Sequence, residues 1–282
     1  MKALRRVWRD ARRAIDRSAT FASSYVRART ATTDFSDVRL LCLFIGYPRS
    51  GHSLVGSLID AHPRAVIAHE VNVLDFLARG FSREQIFVLL RDNARAFARK
   101  GRRWSGYAYA VPGQWQGRFT RLEVIGDKKG GGTTKALRRS PQLLDRLAAV
   151  VGVPVRFIHV IRNPYDNIST MARRSRRPLE TAIEAYFGLS RAVVDVRSAL
   201  APGAMLDLRY EDLVADPPRR VRDLCAFLGL EAPDDYLRAC AGIVFGAPRQ
   251  TRFEVPWPDE SVDRVAERIA EFPMLHGYAY DG

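Results

Sequence analysis

The sequence predicts an α/β fold, with one central parallel sheet of about five strands flanked by helices. Three observations point to it. Short apolar runs recur at residues 40–45, 65–70, 122–126, 155–161 and 204–208, each of a length that suits a buried strand. Between them lie stretches whose apolar residues recur at helical spacing. The alternation continues without an internal repeat or a low-complexity segment, as crossovers returning to one sheet require. The chain has 282 residues, of which 47% are hydrophobic and 27% charged, so it has the length and composition for a sizeable core.

The first strand runs into Gly46-Tyr47-Pro48-Arg49-Ser50-Gly51-His52-Ser53, and then Leu54, Val55, Leu58 and Ile59 fall on one helical face that stops before Pro63. Strand, glycine-bounded loop and helix in succession build an anion cradle, because loop N–H groups and the positive end of the helix point the same way. The spacing G-x-x-x-x-G-x-S is that of a phosphate-binding loop, but His52 stands where the lysine belongs. An ATP-using loop needs that lysine on its phosphates and Mg²⁺ on the following hydroxyl. Here Arg49 is the only fixed cation, which suits an anion other than a Mg-triphosphate.

Residues 47–53 resemble the loop with which sulfotransferases hold the 5′-phosphosulfate of 3′-phosphoadenosine 5′-phosphosulfate (PAPS). The longer run PRSGHSLVGSLIDAHP, residues 48–63, is most similar to the tyrosylprotein, Golgi-type and bacterial members. His52 departs from a position that is usually a small hydroxyl residue. The resemblance implies a P-loop nucleotide-kinase-like three-layer fold, PAPS as co-substrate and no metal. It implies that Arg49, Ser50, Gly51, His52 and Ser53 cradle the 5′ end of the nucleotide.

Taken in order, residues 1–30 read as a basic helical arm, with Leu4, Trp8, Ala11 and Ile15 on one face and arginines largely opposite. Residues 1–33 hold nine Lys/Arg and two Asp, half of the net charge of +14. Such an arm either touches an anionic membrane surface or packs on its own domain. Residues 31–37 read as a linker, and residues 38–282 as a single α/β domain. No apolar run is long enough to span a membrane, no apolar core of a secretory signal follows the N-terminus, and Cys42, Cys225 and Cys240 lack metal or disulfide spacing. A cytoplasmic protein with packing cysteines is expected. None of the usual nucleic-acid modules is present, and a polyanionic co-substrate accounts for part of the basic excess.

The second strand ends in His69 and Glu70. Helices are expected over 71–79 and 82–100. Residues 102–120, with Trp104, Tyr107, Tyr109, Trp115 and Phe119, fit neither period and read either as a lid or acceptor wall or as irregular packing. After the strand at 122–126 comes Asp127-Lys128-Lys129-Gly130-Gly131-Gly132, at the strand end where open α/β sheets place ligands; the resemblance puts an active-site lysine at Lys128. A helix over 141–150 starts with proline, and the strand at 155–161 leads into Arg162-Asn163-Pro164-Tyr165-Asp166. This segment resembles the sulfotransferase 3′-phosphate motif, in which an arginine and a hydroxyl residue eight positions later hold the phosphate. Arg162 is the arginine, and Thr170 or the adjacent Ser169 the hydroxyl; an arginine fork and a first helical turn suit a phosphate. Arg173, Arg174, Arg176 and Arg177 follow, either shaping an anionic acceptor site or forming a solvated face. Further helices are expected over 181–200, up to Gly229 and over 261–271, with Arg249 and Arg252 as candidates to close over the nucleotide.

In-line sulfuryl transfer needs positioning and charge neutralisation and a base for the acceptor hydroxyl. Glu70, His52 and His69 are candidates, and the resemblance favours Glu70, which follows the D-A-H-P run; Lys128, His52 and Arg49 are expected to share the charge. The acceptor is read as a glycan, glycolipid or small-metabolite hydroxyl. A P-loop small-molecule kinase and a non-catalytic basic membrane- or nucleic-acid-binding protein remain as alternatives.

Overall fold

The computed structural model describes residues 20–30 and 35–282. Of the expected basic arm, residues 1–19 lie outside the described residues, as do residues 31–34 of the expected linker. Residues 20–30 form helix α1, which packs on the sheet's helical layer through Ser24 to Gln85 (3.2 Å), Arg27 to Asp92 (2.8 Å) and an edge-on contact between Phe21 and Phe81.

Strand β1 (Leu40–Gly46) is buried along its whole length, as an all-apolar strand covered on both faces must be. It is the middle of a five-stranded sheet with β2 (Ala65–Ala68), β5 (Val124–Asp127), β6 (Val155–Ile161) and β7 (Met205–Arg209), in the order β2-β5-β1-β6-β7. Every pairing is parallel. A separate two-stranded hairpin, β3 (Arg103–Trp104) and β4 (Tyr107–Ala108), stands in the aromatic stretch that fitted neither period. The chain leaves β1 for the edge at β2, returns through β5 to one flank of β1, and then crosses to β6 on the other. The direction of winding reverses at β1, so a crevice opens at its carboxyl end.

Alternate residues of β1 serve two cores. Leu40, Cys42 and Phe44 pack with α2 (His52–Asp60), α10 (Pro217–Leu228) and α11 (Asp234–Ala241). Leu41, Leu43 and Ile45 pack with α3 (Val73–Ala78), α4 (Arg83–Arg99) and α6 (Leu143–Val151). A third cluster joins Tyr47 to α7 (Pro164–Ser175), α8 (Leu179–Ser198), α12 (Asp259–Ala270) and the C-terminal segment. All three cysteines are buried free thiols in these cores. No helix among the described residues is long and apolar enough to cross a membrane.

The expected strands and long helices match within a few residues, because their apolar patterns are strong. Three helices were not foreseen. Two are α11 and α9 (Tyr210–Ala215), the latter a short turn directly after β7. The third is α5 (Gly130–Arg139), which opens with three glycines although each costs a helix about 1 kcal/mol relative to alanine. Strand β2 also ends earlier than expected, at Ala68, because Glu70 and Asn72 take left-handed backbone angles (φ 61 and 70). The buried carboxylate of Asp127, at the end of β5, holds this turn by accepting from the backbone N–H groups of Val71 (3.0 Å), Asn72 (2.6 Å) and Val73 (3.2 Å).

The hairpin is tied to α2 by a buried ion pair between Arg102 and Asp60. Asp60 also accepts from Ile67 N (2.7 Å), and Arg102 donates to Ser57 Oγ (3.1 Å). Burial pushes the Asp60 carboxyl up to about 6, even though the Arg102 charge pulls it down. Removing one partner of such a pair strands the other. Arg102→Met is therefore expected to lower unfolding free energy by about 3–5 kcal/mol near pH 8. The loss should shrink toward pH 5, where the abandoned carboxyl takes up a proton in the folded state before the unfolded one does. Denaturant titrations at the two pH values check both points.

Candidate active site

The loop after β1 is held in shape from several sides. Gly46 and Gly51 have φ of 119 and 105, and Arg49 sits in the left-handed region at φ 73. A side chain at Gly51 would place its Cβ 2.5 Å from the Tyr210 ring, so only glycine fits there. Thr134 of α5 clamps Gly46, accepting from its N–H (2.8 Å) and donating to its carbonyl (2.9 Å). From the other side Asn167 of α7 donates to the Pro48 carbonyl (2.9 Å), and within the loop Ser50 Oγ donates to the Tyr47 carbonyl (3.2 Å). Helix α2 starts at His52, so its first N–H groups, which have no partner within the helix, face the loop's concave side.

Lys128 follows β5 and crosses over α2, where Gly56 makes room: a Cβ there would lie 2.8 Å from Lys128 Cγ. Its Nζ donates to Ser53 Oγ and to Glu70 Oε1, each at 3.0 Å, while Lys129 Nζ donates to Glu70 Oε2 at 2.7 Å. Burial pushes the Glu70 carboxyl up, but the Lys128 charge and the two lysine hydrogen bonds outweigh it and hold the group at about 2. Burial shifts the Lys128 ammonium in its own disfavour, downward, against the Glu70 charge.

The two histidines lie differently. His52 is buried, with Nε2 3.2 Å from the Ile45 carbonyl and 3.3 Å from Ser50 Oγ. Burial, with the Lys128 charge, pushes it down to about 3, so it is neutral, and the carbonyl oxygen must accept from Nε2–H. Its ring lies against Gly130, where a Cβ would come within 2.1 Å of Cε1. The close approach of α5 to the loop thus requires the glycine that makes α5 a poor helix by sequence. His69 is stacked on Phe97 with ring centroids 4.0 Å apart, meets Trp104 edge-on, and does not line the cavity.

Arg162, at the end of β6, donates to Thr251 Oγ1 (3.0 Å) and to the Arg249 carbonyl, while its buried Nε has no partner. Thr170 Oγ1 meets Thr251 Oγ1 at 3.0 Å and donates to the Asp166 carbonyl. Ser169 is fully buried and its Oγ accepts from Trp257 Nε1 (2.9 Å). The helix thus turns Thr170 to the cavity and Ser169 to the core. Of the two late arginines, Arg252 is buried in an ion pair with Asp166 (2.7 Å), and its N–H also donates to that carboxylate. It is a fastening that seats Thr251 beside Arg162, whereas Arg249 reaches the cavity rim.

Loop, lysines and arginine line one cavity of about 920 Å³. Its charged lining comprises Arg49, Lys128, Lys129, Lys135, Arg162, Arg173, Arg174 and Arg249 against one carboxylate, Glu70. Trp104, Tyr107, Tyr109, Tyr210 and Phe245 supply an aromatic wall. The aromatic stretch thus reaches the cavity through its hairpin, while Trp115 and Phe119 do not line it. Thr251, Thr134 and Asn167 were not foreseen as site residues: Thr251 carries no motif, and the other two act only by proximity in the fold. Among the described residues no group of three or more His, Cys, Asp or Glu is placed to hold a metal ion.

The cavity thus joins a phosphate-loop-like turn to a second corner formed by Arg162, Thr170 and Thr251, on one α/β fold. The sulfotransferase family model matches residues 43–234, more than half of the chain, and the chain belongs to that family. No curated protein matches it. Among solved structures, it resembles the sulfotransferase domain from the curacin biosynthetic pathway (TM-score 0.52, 16% identity, covering 84% of this chain and 99% of that one). It also resembles sulfotransferase STF9 from Mycobacterium avium (0.50, 11%, 89% and 80%) and STF1 from Mycobacterium tuberculosis (0.50, 14%, 90% and 81%). At these identities the likeness is one of fold.

The low proton affinity of Glu70 has a direct check. Its carboxylate resonance should titrate near 2, and Lys128→Met should move it up toward the ordinary range, since one of its two cations is gone. A Glu70 resonance that titrates at the same pH in wild type and variant would show that Lys128 does not set it. Because the folded value lies below the unfolded one, the pair's contribution to stability is present above pH 4.5 and is lost as pH falls toward 2.

Proposed function

We propose that this sulfotransferase takes its sulfuryl group from PAPS and delivers it to an acceptor hydroxyl, with Glu70 as base. One observation carries the reading. Two anion corners, the loop with Ser53 and Lys128 and the group Arg162, Thr170 and Thr251, line the same cavity, and a carboxylate stands beside the first. A nucleotide phosphorylated at both its 5′ and 3′ positions suits such a pair. A Mg-triphosphate makes no use of the second corner and meets His52 in place of the lysine. The buried, unpartnered Nε of Arg162 is a donor available to a 3′-phosphate.

PAPS supplies a sulfur whose bond to the 5′-phosphate oxygen breaks as the acceptor oxygen bonds to it, giving a sulfate ester and 3′-phosphoadenosine 5′-phosphate. The chain's own residues divide the rest. Arg49, the first N–H groups of α2 and Ser53 neutralise charge on the 5′ side, with Ser50 and Gly51 shaping the cradle. Lys128, shared between Ser53 and Glu70, stands where charge on the leaving oxygen is stabilised. Glu70 receives the acceptor's proton. A carboxylate held at about 2 is a weak base, but an anion beside Ser53 competes for Lys128, and as that lysine turns to it the proton affinity of Glu70 rises. His52 is a poorer base, being neutral with Nε2–H committed to Ile45, and His69 is poorer still, being stacked away from the cavity. His52 instead supports the loop from below.

Calorimetry with EDTA present should show 3′-phosphoadenosine 5′-phosphate binding in strong preference to AMP or ATP. Binding of Mg-ATP alone would turn the reading into a kinase. Arg162→Ala should weaken the bisphosphate roughly ten- to hundredfold, the worth of a charge-assisted pair. An unchanged affinity removes Arg162 from the 3′ corner. Glu70→Gln should keep nucleotide binding and lower kcat by about 10²–10⁴; full turnover in that variant rules Glu70 out as the base.

A further inference from the structure

The cavity's cations are not equally compensated. Glu70 meets Lys128 and Lys129, and Glu254 meets Arg173 and Arg249. Arg49 and Arg162 belong to the two donor corners proposed above. Lys135 and Arg174 are left: both line the cavity, both are exposed, and neither has a hydrogen-bond or ionic partner among the described residues.

The helices that carry them supply no counter-charge either. The positions three and four residues away from Lys135 are Gly131, Gly132, Arg138 and Arg139, and those before Arg174 on α7, which ends at Ser175, are Thr170 and Met171. An ordinary solvated helix face intersperses carboxylates at these spacings, whereas here like charges accumulate. The helices flank the loop from two sides. Gly131, one turn before Lys135, packs on Pro48 (3.2 Å for an added Cβ), and Asn167, two turns before Arg174, donates to the Pro48 carbonyl. Two uncompensated cations from separate elements thus border the cavity on either side of the cradle, on the α5 and α7 walls. Lys135 shares its helix with Gly130, the residue that follows the lysine pair holding Glu70.

We propose that the acceptor is itself an anion: a hydroxyl compound that also carries a carboxylate, phosphate or sulfate group, held by Lys135 and Arg174 while its hydroxyl meets Glu70. This deepens the sulfotransferase reading and rests on it. The pair determines specificity and takes no part in the bond exchange. Two uncompensated cations on the walls of an already cationic cavity favour an acidic acceptor over its neutral analogue, and disfavour acceptors that are themselves cationic.

The test uses the full chain, PAPS and hydroxyl compounds in matched neutral and acidic sets: glucose with glucuronic acid and glucose 6-phosphate, and phenol with 4-hydroxybenzoate. Formation of 3′-phosphoadenosine 5′-phosphate is the readout. The acidic members should show at least a tenfold higher kcat/KM. In the double variant Lys135→Gln/Arg174→Gln, the KM for an acidic acceptor should rise at least tenfold with kcat little changed, as loss of uniform binding predicts, while bisphosphate affinity stays within twofold. Equal or better transfer to the neutral members, no transfer to any acidic member, or loss of bisphosphate affinity in the double variant overturns the inference. The donor reading is judged separately, by bisphosphate binding to the wild-type chain. If that binding is absent, the donor reading fails and this inference falls with it; if it is present while neutral acceptors are preferred, only the anionic acceptor is lost.

Discussion

Holding residues 46–51 open is the constraint on which the rest of the structure depends. A segment that aims its backbone donors into a cavity cannot use them for helix or sheet, so its shape must be imposed from outside. Thr134 grips Gly46, Asn167 grips the Pro48 carbonyl, and Tyr210 closes off the space that a side chain at Gly51 would need. These contacts come from α5, α7 and α9, three elements far apart in sequence that the parallel sheet gathers at the carboxyl end of β1. The strained φ of Arg49 is maintained by the same grip.

Charge is the second organising quantity. The cavity lining concentrates cations, a destabilising arrangement by itself, and carboxylates are placed so as to build walls without neutralising the cavity. Asp127 turns its oxygens onto backbone N–H groups and fixes the bend that carries Glu70. Asp166 fixes the C-terminal segment that brings Thr251 to Arg162. Asp60 anchors the hairpin that presents the aromatic wall. Among the described residues Glu70 is the one carboxylate that lines the cavity, and it does so between two lysines.

Much of this was legible in the sequence. The five strands could be read because buried parallel strands are apolar throughout, and the loop because its glycines, Pro48 and Arg49 stand in a fixed spacing directly after a strand. Arg162 and Lys128 were singled out by the resemblance, and their place at strand ends agrees with where ligands gather in such sheets. Helix α5 was not legible, since Gly130, Gly131 and Gly132 argue against a helix locally and are needed only because His52 and Pro48 lie against them. The separation of Ser169 from Thr170 was not legible either, because a one-residue step on a helix changes direction by about 100° and nothing local says which direction is the core. Trp257 settles it from 88 residues away.

The sequence by itself therefore determined the architecture and the position of the glycine-bounded loop at the end of β1, because these follow from local patterns of apolarity and glycine. Tertiary structure alone decided which side chains share the cavity and in what state. It turned the imidazole nitrogen of His52 inward, stacked His69 on Phe97, set Glu70 between two lysines, brought Thr251 to Arg162, and left Lys135 and Arg174 without counter-charge among the described residues. These are matters of distance and burial between elements remote in the chain. Electrostatic and hydrogen-bond energies depend on such distances and not on order along the backbone.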